Sequence, residues 1–150
     1  MLSDTARYAM RAMMALAERH PAPASIAGIA DDISAPRKYL EAVMLRLKRD
    51  GLLVSSRGRT GGYALARPAS SISVADIIRT VDGPLALTPC ASRTRFEACD
   101  NCMDVAICSI RFVLLEGRDA LAEVLERRTL EDLIHNQGMA RPDLSILPAA

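Results

Sequence analysis

The 150-residue sequence has no Trp, and it has only three Tyr and two Phe. Its core must therefore consist of aliphatic side chains and Met, and stretches rich in Ala and Leu favour helices. Half of the residues are hydrophobic, which is enough to form a core without disulfide bonds. These totals predict a single mainly α-helical domain, alone or with an appendage.

No apolar run approaches the roughly 18 residues of a membrane-spanning helix, so we expect no membrane partner. The N-terminal segment is unlike a signal peptide, because Asp4, Arg7 and Arg11 interrupt it. We therefore expect a cytoplasmic protein, whose thiols stay reduced. Four cysteines in that compartment are more often metal ligands, redox sensors or buried fillers than structural disulfides.

Catalytic signatures are also missing. The sequence has neither a phosphate-binding loop nor a dinucleotide-binding fingerprint. Its two histidines, His20 and His135, lie at a predicted helix end and near the C-terminus, away from any Ser or Cys nucleophile pattern. We therefore expect that the protein is not an enzyme.

The net charge of +1 conceals a strong asymmetry along the chain. Between Arg37 and Arg67 there are eight basic residues and two acidic ones, whereas the remainder of the chain is acidic on balance. A basic segment on an otherwise acidic protein is typical of a surface that binds a polyanion. A solvated charged face is the alternative interpretation.

Helical periodicity predicts three helices before this basic segment ends. The first covers 3–19, the second covers 26–33 behind the N-cap Ser25, and Ser34 is expected to cap the third. Leu52–Val54 and Tyr63–Leu65 are then predicted as two strands around a glycine-rich turn at 57–62. A capping box of Ser73 and Asp76 begins a fourth helix.

Two short helices followed by a hairpin predict a winged helix-turn-helix over 1–82, so the fold class is mainly α with a small β-hairpin wing. The third helix would present Arg37, Lys38 and Glu41 to base edges in the major groove of DNA. The hairpin would place Arg57 or Arg59 in the minor groove, where narrow A·T tracts concentrate negative potential.

The remaining chain divides into three segments. All four cysteines fall in 83–108, a long amphipathic helix and a short terminal helix follow in 109–136, and 137–150 is expected to be disordered. The long helix has an apolar stripe that either packs on the core of its own chain or forms a dimer interface. This stripe consists of Ile110, Val113, Leu114, Leu121, Val124 and Leu125.

Several local motifs are characteristic. They are Arg7–Met13, Tyr39-Leu40-Glu41, Gly51-Leu52-Leu53, the wing Arg57–Ala66 and the segment Ile72–Ile78. Together they resemble the Rrf2 family of bacterial regulators, from about Ser3 to Ile134. The resemblance implies a homodimer joined by the long helix, which binds a palindromic double-stranded DNA operator and acts as a repressor. It also implies that the wing residues Arg57, Arg59, Gly61, Gly62 and Tyr63 lie at the DNA and that Glu41 lies near bases.

The cysteines Cys90, Cys99, Cys102 and Cys108 have the spacing C-x8-C-x2-C-x5-C within 19 residues. Thiolates are soft ligands that suit an iron–sulfur cluster or zinc. Two alternatives need no metal: the cysteines are small core fillers, or Cys99 and Cys102 form an accessible redox pair.

The family resemblance assigns three of these cysteines, Cys90, Cys102 and Cys108, as cluster ligands. Where some relatives have a histidine ligand, this chain has Arg111, and where others have an acidic ligand it has Arg7. Cys99 would then be the fourth ligand, with Asp4 as a weaker alternative. Four thiolates could hold a two-iron or a four-iron cluster, and equally zinc.

Three functions follow from these observations. The first is a DNA-binding repressor whose operator affinity an iron–sulfur cluster modulates. The second is the same DNA-binding dimer with a thiol-redox or structural zinc site and no cluster. The third is an iron–sulfur electron carrier or enzyme, which would have no use for a basic wing.

Overall fold

The computed structural model describes residues 2–58, 61–102 and 104–135. Helices surround one antiparallel hairpin in this part of the chain, and two short 3-10 turns lie at Ala69–Ser71 and Pro89–Ala91. The elements are α1 (Asp4–Arg19), α2 (Ile26–Asp32), α3 (Arg37–Arg49), β1 (Leu53–Ser56), β2 (Gly62–Leu65), α4 (Val74–Asp82), α5 (Ser109–Arg127) and α6 (Leu130–His135). Arg59 and the predicted disordered tail lie outside the described residues.

Helix α1 forms the centre of the molecule and contacts α2, α3, α4, α6 and β2. Its N-cap is Ser3, whose side chain accepts a hydrogen bond from the Ala6 amide. Small residues on the buried face, Ala6, Ala9 and Ala12, allow neighbouring helices to approach closely. The core is therefore aliphatic, as the scarcity of aromatic residues predicts.

Helices α2 and α3 form the predicted helix-turn-helix, and the apolar stripe of α3 is buried as expected: Leu40, Val43, Met44 and Leu47. The prediction that Ser34 caps α3 is wrong. Ser34 has a φ of 50°, and the next amide, of Ala35, donates to the Ala30 carbonyl. Ser34 thus turns the chain at the end of α2 in the left-handed conformation of a helix terminus. The N-cap of α3 is Pro36, which forms no side-chain capping bond.

The wing is a two-stranded antiparallel sheet in which Leu53 pairs with Leu65 and Ser56 with Gly62. The first strand begins one residue later than predicted and extends to Ser56. The loop before α2 also contacts the wing, because Ala24 and Tyr63 exchange backbone hydrogen bonds of 2.9 and 2.8 Å. The wing is therefore attached to the helical core on its second strand.

The capping box at the start of α4 is confirmed: Ser73 and Asp76 exchange backbone and side-chain hydrogen bonds. Backbone hydrogen bonds also join this turn to the start of α6, since Val74 donates to Arg128 and Leu130 donates to Ile72. Leu130 is fully buried. The chain thus returns from α5 to the helical core before the described part ends.

Candidate nucleic-acid interface and cysteine site

Helix α3 presents its polar side to solvent. Arg37, Lys38 and Glu41, the predicted base-contacting residues, are all exposed. Arg37 and Glu41 form an ion pair of 3.5 Å one helical turn apart. An exposed pair of this kind contributes little to stability, so these side chains can exchange partners when a polyanion approaches.

Two tyrosines fix the start of α3 against α1. The rings of Tyr8 and Tyr39 meet edge to face, with centroids 5.6 Å apart. The Tyr39 hydroxyl also forms a hydrogen bond with Thr5. The sequence motif includes Tyr39, but its positioning contact with α1 could not be inferred from local spacing.

The wing lies beside α3. The Lys48 ammonium donates to the Ser55 hydroxyl at 2.7 Å, which links the end of α3 to β1. Arg57 is exposed directly after β1. The exposed basic residues of the helix and the wing thus belong to two elements that contact each other.

The glycines of the wing are required by close backbone approaches. A Cβ atom at Gly62 would lie 2.3 Å from the Ala24 carbonyl oxygen, and one at Gly61 would lie 2.5 Å from the Ser56 carbonyl oxygen. Gly58 has a φ of 113°, a conformation that L residues rarely adopt. Tyr63 is partly buried against the core. These contacts give Gly61, Gly62 and Tyr63 structural roles in the wing itself.

The cysteines lie in a segment that begins at the 3-10 turn after α4 and ends at the start of α5. Cys90 is buried within the turn, Cys99 is exposed, and Cys102 and Cys108 are partly exposed. The Cys102 amide donates to the Cys99 carbonyl at 3.0 Å, so the Cys-x-x-Cys sequence forms a tight turn. Cys108 is the N-cap residue of α5.

The thiols influence one another electrostatically. A hydrogen bond from Thr88 lowers the pKa of Cys90, and bonds from Cys99 and the charge of Arg111 lower it further against the effect of burial. The hydrogen bond with Cys90 raises the pKa of Cys99, as do the charge of Cys90, burial, and the charges of Cys102 and Cys108. The other three cysteines therefore all favour the protonated form of Cys99.

The donor set suits a thiolate-ligated centre in type, because thiolates are soft ligands for iron and zinc. The described side chains do not form a closed metal cage, however. In the ranges that the structure describes, no three His, Cys, Asp or Glu side chains converge in an arrangement that could hold a metal ion. Asp4, the weaker candidate for a fourth ligand, forms an ion pair with Arg7 in α1.

Two arginines, Arg111 and Arg93, connect the cysteine segment to α5. The Arg111 Nε donates to the Cys90 carbonyl at 2.9 Å. The Arg93 guanidinium forms a two-pronged ion pair with Asp119, to which Arg118 also donates at 2.6 Å. The hydrogen bonds from Arg93 and Arg118 hold the pKa of Asp119 well below its usual range. Sequence patterns did not identify these contacts, since the partners are far apart in the chain.

The end of α4 is a junction between the helix-turn-helix and the cysteine segment. Arg46 of α3 donates to the Val81 carbonyl at 3.3 Å, and the Ser3 amide donates to Asp82 at 3.0 Å. Arg79 of α4 pairs with Glu126 of α5. Residues on α1, α3 and α5 therefore all contact α4, whose last turn leads into the cysteine segment.

Helix α5 leaves most of its apolar stripe uncovered. Ile110 and Val113 are 72% and 67% exposed, Leu121 and Val124 are also exposed, and Leu114 and Leu125 are partly buried. An adjoining apolar groove of about 470 Å³ lies between α1, α4 and α5. No helix in the described part of the chain is long and apolar enough to cross a membrane.

Comparisons with known proteins agree with this architecture. The model of a family described as Rrf2, iron-dependent transcriptional regulator, matches residues 2–136. An rrf2-like HTH-type transcriptional regulator of Rhodobacter capsulatus is 35% identical over 138 residues, which cover 89% of this chain and 92% of that protein. The HTH-type transcriptional regulator IscR of Escherichia coli is 34% identical over 137 residues, covering 91% of this chain and 81% of IscR.

Solved structures are similar in sequence and in fold. The global cysteine regulator CymR of Bacillus subtilis superposes with a TM-score of 0.74 at 33% identity, covering 91% of this chain and 98% of that one. IscR of T. potens superposes with a TM-score of 0.71 at 28% identity, covering 95% and 93%.

Proposed function

The chain belongs to the Rrf2 family of transcriptional regulators, and from that premise we propose that it is a homodimeric repressor with a cysteine-ligated sensor. It would bind a palindromic operator in double-stranded DNA. An iron–sulfur cluster held by Cys90, Cys99, Cys102 and Cys108 would modulate its affinity for that operator. The observation on which the DNA-binding part rests is the adjacency of an exposed polar helix face and a basic wing.

Each element of that surface suits a different part of DNA. Arg37 and Lys38 can donate to guanine edges or phosphates in the major groove, and Glu41 can accept from the cytosine amino group. Arg57 on the wing suits the adjacent minor groove, as does Arg59 by its position in the sequence. The contact between Lys48 and Ser55 supports a constant spacing between helix and wing.

The cysteine segment suits a sensor because its thiols affect one another and because it joins the end of α4 directly. Thiolates of Cys90, Cys99, Cys102 and Cys108 would be the ligands, and a bound cluster would supply sensitivity to oxidants or to iron supply. Since the described thiols do not form a closed cage, binding would draw the segment together. That movement would reach α3 through Arg46, which contacts the last turn of α4.

A second candidate keeps the DNA-binding dimer and replaces the cluster by thiol chemistry. The influence of Cys90 and Cys99 on each other's pKa favours it, because neighbouring thiols can be oxidised to a disulfide. Structural zinc on the same four cysteines is a further variant of this candidate.

The decisive experiment combines spectroscopy and DNA binding. Protein purified without oxygen is expected to show iron–thiolate absorption and to select a palindromic site from random-sequence DNA. Oxidation, or the substitution Cys102→Ala, is expected to change affinity for that site. A colourless protein whose DNA affinity responds to oxidation would favour thiol chemistry. Unchanged affinity in both conditions and in Cys102→Ala would refute a sensor role, and failure to select DNA would refute the regulator itself.

The dimer interface that we propose is the exposed stripe of α5. Gly117 lies at its centre, and about 100° of rotation per residue places Ile110 and Val124 within about 20° of it. Val113 and Leu121 lie about 40° from Gly117 around the helix axis, one on each side of it. A Cβ atom at Gly117 would meet nothing within 4 Å in the single chain. A glycine inside a helix costs stability, so its place in this face suits a close crossing of two helices.

The stripe is symmetric in sequence about Gly117. Ile110 and Val124 are each seven residues from it, and Val113 and Leu121 are each four residues from it. In an antiparallel pair of α5 helices crossing at Gly117, Val113 of one protomer would face the partner's Leu121. Such an interface is self-complementary, as two-fold symmetry requires. The apolar groove beside Leu121 and Leu125 continues the same surface.

A charge exchange tests this register. Val113→Glu and Leu121→Lys alone are each expected to raise the dimer dissociation constant about 10-fold or more, because an unpaired charge in an interface is costly. The double variant should recover most of the affinity, since each new carboxylate would meet a lysine of the partner. Analytical ultracentrifugation provides the constants. A charge-matched control, Val113→Glu with Val54→Lys, should show no recovery, and equal behaviour of the two double variants would refute the register.

A further inference from the structure

We propose that Arg111 is a positioning residue of the cysteine site, which clamps the segment around Cys90 onto the first turn of α5. This inference rests on the proposed sensor function of the cysteines, and it assigns a role to a side chain that is itself not a metal ligand. It concerns how the four cysteines are brought together before anything binds to them.

The Arg111 guanidinium makes two contacts with the segment. Its Nε donates to the Cys90 carbonyl oxygen at 2.9 Å, and its central carbon lies 5.6 Å from the centroid of the Phe96 ring. The first is a charge-assisted hydrogen bond and the second a cation–π contact. One side chain therefore fixes two points of the segment, six residues apart, against a single helix.

The position of Arg111 is unfavourable for the helix itself. Arg111 is the third residue of α5, and a cation in the first turn opposes the helix dipole. That turn contains no acidic residue, and the N-cap, Cys108, forms no side-chain capping bond. A cation at this position is therefore explained by the contacts of Arg111 with Cys90 and Phe96 and not by the stability of α5.

The contacts also bring two cysteines into proximity. Cys90 and Cys108 are 18 residues apart in sequence, and Cys108 lies three residues before Arg111. Holding the Cys90 carbonyl to the first turn of α5 therefore holds the first cysteine near the last one.

The other tether of the segment provides a matched control. Arg93 pairs with Asp119 near the middle of α5, and this ion pair involves no cysteine. Arg93→Gln and Arg111→Gln each remove one positive charge from a contact between the cysteine segment and α5. If Arg111 acts on the cysteines specifically, only Arg111→Gln should alter their chemistry.

The test uses apoprotein, Co²⁺ and a thiol reagent. Under anaerobic conditions, Arg111→Gln is expected to weaken Co²⁺ binding by about 10-fold or more, the usual effect of losing a group that orients metal ligands. Thiolate-to-cobalt absorption reports the number of sulfur ligands. Alkylation of Cys90 by N-ethylmaleimide, located by mass spectrometry with exposed Cys99 as the reference, should become several-fold faster. Urea midpoints should stay near that of the parent protein.

Arg111→Lys separates anchoring from charge. Lysine keeps the charge but lacks a planar guanidinium that can donate to the Cys90 carbonyl and stack on Phe96 at once. The Co²⁺ affinity of Arg111→Lys and the protection of its Cys90 from alkylation should therefore fall between those of the parent protein and Arg111→Gln. Full function in Arg111→Lys, or equal effects of Arg111→Gln and Arg93→Gln, would overturn the proposal. If the parent protein binds no Co²⁺, the rate of Cys90 alkylation in the variants still tests the proposal. Loss of DNA selection by the parent protein would instead overturn the proposed function.

Discussion

Gly62 is required by the backbone of a neighbouring segment. Tyr63, the next residue, exchanges two hydrogen bonds with Ala24, so β2 cannot move away from the loop before α2. A Cβ atom at Gly62 would lie 2.3 Å from the Ala24 carbonyl oxygen and 2.5 Å from its carbon. Both neighbours are backbone atoms, which cannot rotate aside. The orientation of the wing therefore depends on the absence of one methyl group.

Gly62→Ala is accordingly expected to lower the free energy of unfolding by about 1–3 kcal/mol, the usual cost of overpacking. Urea denaturation measures the change. Gly28→Ala is the control, because a Cβ atom there would lie 3.4 Å from the Ser25 hydroxyl in ordinary contact. That variant should be neutral or more stable by up to about 1 kcal/mol, as for glycine replaced inside a helix. Equal losses in both variants would contradict the steric explanation.

At the level of whole elements, α5 is held to the rest of the chain by polar contacts as well as by the apolar packing of Ala122 and Leu125 against α4. Ala122 is the one buried residue of α5. Arg79 pairs with Glu126, and Arg93 and Arg118 both contact Asp119. Polar contacts of this kind depend on the ionisation of the carboxylates, so the docking of the cysteine segment on α5 has a defined response to pH.

The pKa of Asp119 is lowered in the folded protein by the hydrogen bonds from Arg93 and Arg118. A lowered carboxyl pKa contributes stability above the unfolded value of about 3.9, and that contribution is lost as pH falls through the folded pKa. Docking should therefore stay constant from pH 7 down to about pH 4.5. This docking is measured by the amide hydrogen exchange of the segment around Arg93, after correction for the intrinsic exchange rate at each pH.

Asp119→Asn should accelerate that exchange throughout the same pH range, because the amide cannot replace the ionic partner of Arg93. Glu123→Gln removes the same charge from an exposed position on the same helix and should leave exchange unchanged. Faster exchange in the parent protein between pH 7 and pH 4.5 would show that Asp119 does not hold the segment.

For the whole molecule, charge is distributed unevenly although the net value is only +1. The basic segment between Arg37 and Arg67 covers α3 and the wing, two elements in contact, whereas the remainder of the chain is acidic on balance. A concentrated basic surface attracts DNA phosphates and releases their counterions. Salt dependence of DNA binding therefore measures how many of these charges contact phosphate.

Arg57→Ala is expected to weaken DNA binding, most strongly at sites with a narrow A·T-rich minor groove, and to reduce the log–log salt slope by about 1 if the charge of Arg57 releases one counterion. Fluorescence anisotropy titrations at several salt concentrations give the slope. Arg95→Ala, which removes an exposed charge from the cysteine segment, should leave the slope unchanged. An unchanged slope in Arg57→Ala would place Arg57 away from the phosphates.

Much of this architecture was predictable because helices and hairpins follow local patterns. The buried stripe of α3 and the capping box of Ser73 and Asp76 depend on residues within one or two turns. Ser34 misled the prediction, since the same residue type caps a helix or turns the chain at its end. The choice was decided by the backbone bond from Ala35 to Ala30, which spacing alone does not reveal.

The amino-acid pattern alone thus established the order of the helices, the wing and the clustering of the four cysteines, because each is a property of neighbours in the chain. Tertiary structure alone decided which wing glycines have no room for a side chain, and that Arg111 reaches the Cys90 carbonyl 21 residues away. It also decided that the stripe of α5 stays exposed in the single chain. These features depend on how distant segments pack, and packing distances are absent from any local pattern.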